Sequence, residues 1–396
     1  MNPAPNLMSP EARKNPYPLY AALRRGPIRP IEPGGLWAVS RYEDVLAVMK
    51  DPKRFSSEGL AMGFRPPWLE RRNRTAESLV MKDPPQHARL RGRVSRAFSQ
   101  QAIARLEPRI RALAEELAER AVRMREVDFV AEFSMRLPVG VLGLLFGLDP
   151  EKHLQLKAWA DDLLSIPGTF SPPPRAEEIR ASLTAMERCF EALIDEKAST
   201  PGEDLVSDLL QPGEDGVTLT RDEVLAFLFA LLPAGVETTV HLMSNALVVL
   251  SQHREVLAEV LRDRSRVATV VEEVLRYEAP GQTSLRLVTE DTTVSGVTLP
   301  KGAVAVVLLG SALRDEQVFP DGERFRLDRD RPSHLAFGHG IHYCLGALLA
   351  RLEARLGLEA LFARIRDVSV LDEEVAWAPS LIARGPASLR VRFEPK

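Results

Sequence analysis

One of the two cysteines in this 396-residue chain lies in a ten-residue segment that also holds three glycines and two histidines. The segment reads Phe337-Gly338-His339-Gly340-Ile341-His342-Tyr343-Cys344-Leu345-Gly346. Beyond Cys344, leucines recur at steps of three and four residues, which predicts a helix that begins just after the cysteine. The N–H groups and the positive dipole end at a helix start favour a thiolate there. A thiolate held by a glycine-rich loop is a suitable axial ligand for a haem iron.

Two other uses of these residues are open on the residue types alone. A cysteine in an apolar stretch is usually a small buried hydrophobic residue. Alternatively, His339, His342 and Cys344, with His334 nearby, are potential zinc ligands. Structural zinc sites usually draw on paired ligands at two separate places in the chain, and the sequence has no second cluster of that kind. The C-x-x-C-H attachment motif of c-type haem is absent as well.

The segment matches the F-G-x-G-x-H-x-C-x-G signature at every fixed position, so the chain resembles the cytochrome P450 family. The resemblance implies that Cys344 is the axial ligand of haem b (iron protoporphyrin IX) and that His342 contacts a haem propionate. The haem contacts implied for the whole chain are His87, Arg91, Ala234, Gly235, Arg286, Phe337, Gly338, His342, Cys344 and Gly346.

His87 and Arg91 fall on one face of a predicted helix, because residues four apart are neighbours on a helix surface. This pair matches the family's H-x-x-x-R element, which contacts the haem propionates. Arg89, Arg93 and Arg96 fall on the opposite face, which predicts an exposed basic surface. Arginines at this density are otherwise typical of a solvated face.

The sequence Ala234-Gly235-Val236-Glu237-Thr238 matches the family motif A-G-x-[D/E]-T. It lies within Thr220 to Ser251, an almost continuously apolar stretch that predicts one long interior helix. Thr220 and Glu223 predict a capping box at its start. The resemblance implies a local distortion of the helix that opens a groove for dioxygen. It also implies that Thr238 orients dioxygen and water while Glu237 relays protons.

Pro233, immediately before this motif, departs from the commonest family pattern, in which an ordinary helix-forming residue stands there. Both Pro233 and Gly235 weaken a helix, so the shape of the distortion does not follow from the resemblance. On the residue types alone, Thr238 is equally a hydroxyl that bonds to its own backbone and bends the helix.

Glu273 and Arg276 lie one helical turn apart and can form an ion pair. They match the family's E-x-x-R element, and Arg329 matches the third member of its ion-pair network. The resemblance gives these three residues a structural role in holding the cysteine loop. Arg286, six residues after Pro280, matches the arginine that binds a haem propionate in the family.

The activity implied by the resemblance is that of a monooxygenase that inserts one oxygen atom from O2 into an apolar small molecule. A terpenoid, a steroid, a fatty acid and a macrolide-like product are all compatible. The family's pocket segments correspond to Phe55–Lys82, Leu163–Phe170, Phe227–Ala234, Gly281–Leu285 and Pro379–Ile382, and their residues are mostly aliphatic, aromatic or small. Two alternatives are a haem-thiolate peroxygenase and a non-catalytic haem-binding or ligand-binding protein of the same fold.

Electrons must come from another protein, because the sequence lacks a glycine-rich fingerprint for a flavin or nicotinamide. A ferredoxin and its reductase are the expected donors. Ferredoxins are generally acidic, so the predicted basic surface, extended by Arg351 and Arg355, is a potential docking site. The alternative is that these arginines form a solvated face that only increases solubility.

The composition excludes some other classes of protein. A net charge of −3, from 52 Lys and Arg against 55 Asp and Glu, gives no indication of nucleic-acid binding. Two cysteines fit a reducing compartment, and the N-terminal segment lacks the apolar core of a secretory signal. The apolar run from Val224 to Val236 is too short to span a bilayer. We expect a cytoplasmic monomer without membrane association.

The elements that position these residues are mainly α-helical, with a smaller β portion. Strands are predicted at Leu36–Val39, Thr293–Leu299, Ala303–Leu308 and Ser388–Phe393. Ser40 and Glu43 predict a capping box for the helix that follows the first strand. Residues 103–147 and 151–198 have helical patterns, and Phe55 to Arg74 is predicted to be a long loop. The sequence lacks a low-complexity linker, so residues 1–396 are expected to form a single haem domain with the cytochrome P450 fold.

Overall fold

The computed structural model describes residues 4–32, 34–166, 171–213, 216–329 and 334–396. Helices predominate and the strands form small sheets, which confirms the predicted fold class. The helices are α1 (Pro10–Lys14), α2 (Tyr17–Arg24), α3 (Tyr42–Lys50), α4 (Gln86–Ser95), α5 (Gln100–Met124), α6 (Arg136–Phe146), α7 (His153–Leu164), α8 (Ala176–Ser199), α9 (Leu205–Leu210), α10 (Arg221–Gln252), α11 (Arg254–Arg262), α12 (Val267–Tyr277), α13 (Leu309–Ala312) and α14 (Ala347–Arg364). The strands are β1 (Arg29–Ile31), β2 (Leu36–Val39), β3 (Phe55–Ser56), β4 (Glu126–Asp128), β5 (Thr283–Val288), β6 (Thr292–Val294), β7 (Val297–Leu299), β8 (Val304–Leu308), β9 (Ile365–Val370) and β10 (Arg390–Pro395).

The chain packs into two compact units. The larger unit comprises Met1–Ser56, Glu107–Leu137 and Thr238–Lys396. The smaller unit comprises Ser57–Leu106 and Pro138–Glu237. The larger unit contains the cysteine loop and all of the sheets, and the smaller unit contains α4 and the first half of α10.

A five-stranded sheet in the larger unit has the order β1-β2-β8-β5-β3. The central strand β8 consists of five apolar residues, four of them buried, as expected for a strand that is covered on both faces. The strand β2 spans the predicted residues Leu36–Val39 and pairs in parallel with β8, with Leu36 opposite Val304. The strand β5 pairs antiparallel with the other edge of β8 and carries Arg286.

The predicted strand Thr293–Leu299 is instead a hairpin, in which β6 and β7 pair antiparallel. Its two-residue turn consists of Ser295, with φ 46°, and Gly296, with φ 81°. Type I′ turns need positive φ at both central residues, so this Ser-Gly pair reverses the chain within two residues. The predicted C-terminal strand is present as β10, which lies between β4 and β9 in a three-stranded sheet.

The long helix α10 begins as predicted with a reciprocal capping box. The Thr220 N–H donates to Glu223 Oε2 at 2.9 Å, and the Glu223 N–H donates to Thr220 Oγ1 at 3.3 Å. The helix then continues through Pro233 to Gln252 without ending. Among the described residues, it alone is long and apolar enough to cross a membrane. However, 67% of its most apolar window is buried within the protein, which is also typical of the core helix of a soluble protein.

The predicted capping box of Ser40 and Glu43 is wrong. The helix α3 begins at Tyr42 and has no side-chain cap from the residue before it. The Tyr42 N–H donates instead to Asp315 Oδ2 at 2.8 Å. The carboxylate that caps the start of this helix therefore comes from a residue far away in sequence, so the local sequence does not predict it.

The predicted loop from Phe55 to Arg74 begins with strand β3 and continues in the smaller unit as short 3₁₀ turns at Glu58–Phe64 and Pro67–Leu69. Two more such turns follow, at Arg74–Glu77 and Leu79–Met81. Arginines tether this segment to α8: Arg71 pairs with Glu187 and donates to Thr184 Oγ1 at 2.6 Å. Arg74 Nε lies 2.8 Å from the same Glu187 carboxylate. The part of the segment after β3 thus has fixed contacts although it forms no α-helix or strand.

A buried ion pair joins Glu273 and Arg276 on α12, as the sequence predicts. Arg276 Nη2 lies 2.6 Å from Glu273 Oε1, and the two side chains are only 2% and 7% exposed, respectively. Arg276 also donates to the carbonyls of Leu313, Gly322 and Arg324 at 2.8 to 3.0 Å. Arg329 Nε lies 3.4 Å from the same Glu273 oxygen. The network therefore fixes the irregular segment that precedes the cysteine loop.

We expect Glu273→Gln to lower the free energy of unfolding by about 3 kcal/mol, because it leaves the buried Arg276 charge without its counter-ion. Urea unfolding followed by helical circular dichroism measures this change. The matched control is Glu119→Gln, which breaks an exposed pair with Arg123 and should cost less than about 1 kcal/mol. Equal losses in the two variants would contradict the structural role of Glu273.

Candidate active site

Cys344 lies three residues before Ala347, the first residue of the 18-residue helix α14. The Cys344 backbone N–H donates to the Phe337 carbonyl at 2.9 Å, which closes the loop. The side chain is half-buried, and neither Cys344 nor Cys189 forms a disulfide. The predicted position at a helix start is therefore confirmed, and it favours the thiolate.

Two glycines let the loop lie directly against the end of α3. Gly338 and Gly340 have φ values of 74° and 71°, in the left-handed region. A Cβ on Gly340 would lie 2.5 Å from the Met49 carbonyl oxygen, which leaves no space for a side chain. A Cβ on Gly346, by contrast, would meet no atom within 4 Å. The loop is thus rigid on the α3 side and uncrowded at its final glycine.

The zinc alternative is wrong for the residues that the structure describes. They include no group of three or more His, Cys, Asp or Glu residues that could hold a metal ion. His334 lies 3.0 Å from Glu272 Oε2 through its Nε2 atom. His342 lies in the short turn Gly340–His342 of the cysteine loop and is half-buried.

Arg286 projects from the middle of β5 and is buried. Its Nη1 atom donates to Ser284 Oγ at 2.8 Å and to the Leu285 carbonyl at 2.7 Å. Arg286 lies in the larger unit, as do the cysteine loop and His342. A buried guanidinium requires acceptors or an anion nearby, and these two bonds fix its orientation.

His87 and Arg91 lie on α4 in the smaller unit, with His87 buried and Arg91 half-buried. Burial lowers the pKa of His87, and the nearby Arg91 charge lowers it further, whereas Asp83 raises it. Two basic groups that oppose each other's charge form a suitable place for an anionic group. This agrees with the predicted inward orientation of the pair.

The prediction that Arg93 is exposed on the opposite face is wrong. Arg93 is buried, and its Nη2 atom donates to the Gln211 carbonyl at 2.6 Å. The long aliphatic stem of an arginine can pack among apolar residues when its head finds a carbonyl. Arg89 and Arg96 are exposed. Several arginines of the predicted basic surface have acidic partners: Arg89 with Glu223, Arg351 with Glu272, and Arg355 with Glu107 and Glu359.

The motif from Ala234 to Thr238 lies near the middle of α10. A Cβ on Gly235 would lie 3.2 Å from the Leu142 side chain of α6, so the glycine permits close packing of these two helices. Ala234 is exposed, and Glu237 and Thr238 are half-buried. The distortion implied by the family resemblance does not end the helix at Pro233.

A sequence model described as Cytochrome P450 matches residues 175–366. Putative cytochrome P450 123 of Mycobacterium tuberculosis is 38% identical over 96% of this chain and 94% of its own. The 6-deoxyerythronolide B hydroxylase of Saccharopolyspora erythraea is 34% identical over the full length of both chains. The chain belongs to the cytochrome P450 family. The crystal structure of the P450 CYP109E1 from Bacillus megaterium in complex with corticosterone is similar to it, with a TM-score of 0.86 and 34% identity over 96% of this chain and 99% of that one.

Cytochromes P450 bind haem, and the residues of this P450 fit that cofactor. The loop supplies one thiolate at a helix start, as a haem iron requires, in place of a multi-ligand metal cluster. The open side of Gly346 allows the close approach of a flat group. Of the basic side chains implied to contact the haem propionates, His87 and Arg91 lie in the smaller unit and Arg286 in the larger unit. An arginine can bind a carboxylate through two hydrogen bonds. As the relatives indicate, this chain is a P450 monooxygenase.

A cleft of about 1060 Å³ in the larger unit of this P450 contains none of the predicted site residues. Its wall includes Arg314, stacked over the rings of Tyr17 and Tyr277 at 3.2 and 4.0 Å from their centroids. Arg384 is stacked over Trp377 in the same way, at 3.6 Å. Both guanidinium groups are thus held by aromatic rings in the wall of this cleft.

Glu237 is the titratable residue of the α10 motif. Burial raises its pKa to about 7, the Asp161 carboxylate raises it further, and Lys157 opposes the shift. Asp161 and Lys157 lie one turn apart on α7 and pair with each other. An acid with a pKa near 7 can both release and take up a proton at neutral pH.

We expect infrared titration of the Glu237 carboxyl stretch, isolated by subtracting the spectrum of Glu237→Gln, to give a midpoint near pH 7. Asp161→Asn should lower this midpoint, because it removes a negative charge and leaves the Lys157 charge nearby. The exposed Glu119→Gln is the control and should leave the midpoint unchanged. A midpoint near 4.3, the ordinary value for glutamate, would show that Glu237 is solvated.

Proposed function

We propose that this P450 inserts one oxygen atom from dioxygen into an unactivated bond of an apolar small molecule, while the other oxygen leaves as water. The observation that carries the proposal is the Cys344 loop, closed by its bond to Phe337 and positioned at the start of α14. When bound, haem supplies the dioxygen chemistry, and a thiolate ligand favours cleavage of the O–O bond.

The proposed cofactor is haem b, with Cys344 as the iron ligand. The Arg91 and Arg286 guanidinium groups would neutralise the propionates, and the imidazoles of His87 and His342 would donate hydrogen bonds to them. By the family resemblance, Phe337, Gly338, Gly346, Ala234 and Gly235 would also contact the cofactor. That residues 1–396 form a single haem domain stays a prediction.

Glu237 and Thr238 are the proposed catalytic residues. Glu237 is half-buried with a pKa raised to about 7, so its carboxyl group holds a proton through part of the neutral range and releases it through the rest. Thr238 follows directly on the same helix. Its hydroxyl can hydrogen-bond to a water molecule that takes the proton from Glu237, and it can also orient dioxygen. The proton thus passes from solvent through Glu237 to the water that Thr238 holds.

The proposed substrate is apolar, and a terpenoid, a steroid, a fatty acid and a macrolide-like compound all fit. One relative is named as a hydroxylase of 6-deoxyerythronolide B, and another binds corticosterone in its crystal structure. Among the predicted pocket segments, Phe227 to Ala230 is fully apolar and buried. Part of another segment, residues 167–170, lies outside the described residues. These features support an apolar ligand.

The proposed electron donors are a ferredoxin and its reductase, because the sequence carries no nucleotide-binding fingerprint for a flavin or nicotinamide. Arg93 is buried, and Arg89, Arg351 and Arg355 pair with carboxylates, which reduces the positive charge that these arginines offer to an acidic ferredoxin. We further propose a monomer in the cytoplasm, without a role in nucleic-acid or membrane binding.

Two other functions of the same fold differ from this proposal in their chemistry. A peroxygenase takes peroxide directly and does not bind and reduce dioxygen, so the presence of Glu237 and Thr238, which match the family's dioxygen-activating motif, favours the monooxygenase. A non-catalytic haem-binding or ligand-binding protein would bind an apolar ligand without turnover. Product formed from NADPH with added ferredoxin and reductase would distinguish the monooxygenase from both.

We expect Cys344→Ser to abolish the red-shifted Soret band of the reduced carbon-monoxide complex, because a hydroxyl does not supply a thiolate. The absorption spectrum of the haem-reconstituted protein measures this. Cys189→Ser, which changes the half-buried cysteine of α8, is the matched control and should keep the band. Retention of the band in Cys344→Ser would refute the assignment of the iron ligand.

We expect Thr238→Ala to consume NADPH at a similar rate while it releases more hydrogen peroxide and about tenfold less product. The physical reason is the loss of the hydroxyl that directs protons from Glu237. Ferredoxin-supported assays of NADPH, peroxide and product measure the coupling. The neighbouring buried Thr239→Ser serves as control and should stay coupled. Unchanged coupling in Thr238→Ala would indicate that the hydroxyl only bends the helix.

A further inference from the structure

Arg351 on α14 makes two kinds of contact at the same time. Its Nε atom lies 2.6 Å from Glu272 Oε1, and its Nη2 atom lies 3.1 Å from Glu272 Oε2, so the pair is bidentate. The same guanidinium lies over the ring of Phe337, 4.3 Å from the ring centroid. Both members of the ion pair are about three-quarters buried. A helix after the cysteine loop thus contacts the first residue of that loop.

Glu272, which lies on α12 next to the buried Glu273, is fixed from a second side by His334. His334 Nε2 lies 3.0 Å from Glu272 Oε2, while its Nδ1 atom accepts the Ala336 N–H at 3.4 Å. Because Nδ1 accepts, Nε2 carries the hydrogen and donates it to the carboxylate. Burial alone would raise the pKa of Glu272, but hydrogen bonds from His334 and Arg351 lower it to about 2. The carboxylate therefore keeps its charge at every working pH.

Phe337 connects this cluster to the cysteine. Its carbonyl accepts the Cys344 N–H at 2.9 Å, and its ring lies between Arg351, His334 and Tyr343, with ring centroids 6.5 Å away in the latter two cases. A ring held on several sides fixes the side-chain torsion and restrains its own peptide group. A change in the Arg351 contact therefore acts on the backbone that positions Cys344.

We propose that Arg351 is a positioning residue for the Cys344 thiolate: clamped by Glu272, its guanidinium holds Phe337 in place and so keeps the loop in its ligand-binding shape. This inference rests on the proposed function, in which Cys344 binds the haem iron. The planar guanidinium matters because it satisfies a carboxylate along its edge and an aromatic ring on its face. A lysine ammonium can keep the ion pair but cannot stack in the same way.

The test compares the variants Arg351→Ala, Arg351→Lys and Glu272→Gln as haem-loaded proteins. Arg355→Ala is the matched control, because Arg355 lies one turn further along α14 and pairs with Glu359 and Glu107, outside the cysteine loop. Two properties are measured: the rate at which the reduced carbon-monoxide complex loses its red-shifted band in mild denaturant, and the midpoint potential of the iron. Helical circular dichroism in the same denaturant reports global unfolding separately.

We expect Arg351→Ala to lose the red-shifted band about tenfold faster than the unaltered protein and to shift the potential. Arg351→Lys should restore only the ion pair, so its rate of band loss and its potential should lie between those of Arg351→Ala and the unaltered protein. Glu272→Gln should change the rate of band loss and the potential in the same direction as Arg351→Ala, but by less. It also keeps the test decisive if Arg351→Ala does not fold. Arg355→Ala should match the unaltered protein.

Equal band lifetimes and potentials in Arg351→Ala, Glu272→Gln and Arg355→Ala would overturn the positioning role while leaving Cys344 as the ligand. Full recovery by Arg351→Lys would also overturn it, since charge alone would then suffice. Band loss that coincides with the loss of helical signal would show a purely structural effect. Failure of the proposed function itself has a different signature, namely a red-shifted band that persists in Cys344→Ser.

Discussion

The buried guanidinium of Arg276 is the interaction on which the cysteine side of the molecule depends. It donates to three carbonyls in a segment between Leu313 and Arg324 that has no strand or long helix to satisfy them. Unpaired buried carbonyls are costly, so this segment can be buried only where such a donor is available. Glu273 in turn makes the buried charge tolerable. The path of the chain into the cysteine loop therefore follows from one arginine and its counter-ion.

The helix α12 uses two adjacent carboxylates for two different purposes. Glu273 points to the buried Arg276, whereas Glu272 points to Arg351 and His334 at a half-buried position. On a helix, neighbouring residues lie about 100° apart, so one short segment can serve two clusters without competition. On α10 the electrostatic balance is opposite, because burial and the Asp161 carboxylate raise the pKa of Glu237 more than the Lys157 charge lowers it. The same residue type is thus kept ionised in one place and protonatable in another.

Much of this arrangement follows from local sequence signals. The strand Leu36–Val39, the capping box of Thr220 and Glu223, and the helix start after Cys344 each rest on residues within a few positions of one another. The failures have two causes. The first cause is a local signal that we did not weigh: the pair Ser295-Gly296 is typical of a tight turn, but it lies within a run of residues that favour strands. The cap of α3 by Asp315 and the burial of Arg93 against Gln211 depend on residues far away in sequence, which periodicity does not bring together.

The contact of Arg351 with both Glu272 and Phe337 belongs to the second kind. Arg351 fits a solvated helix face by its sequence, and only the packing of α12 beside α14 gives it a carboxylate and a ring. The family motif likewise identifies Glu237 but does not give its pKa, because burial and the charges of Asp161 and Lys157 determine that value together.

The parallel pairing of β2 with β8 has a consequence for the synthesis of the chain. Leu36 leaves the ribosome about 270 residues before its partner Val304. At about 5–20 residues per second, this interval lasts on the order of 15–50 s. During this interval one edge of the apolar strand β2 is unpaired, and unpaired edges can bind strands of other chains. Slow translation or a crowded polysome therefore prolongs the stage at which the nascent protein is most prone to aggregate, well before any cofactor can bind.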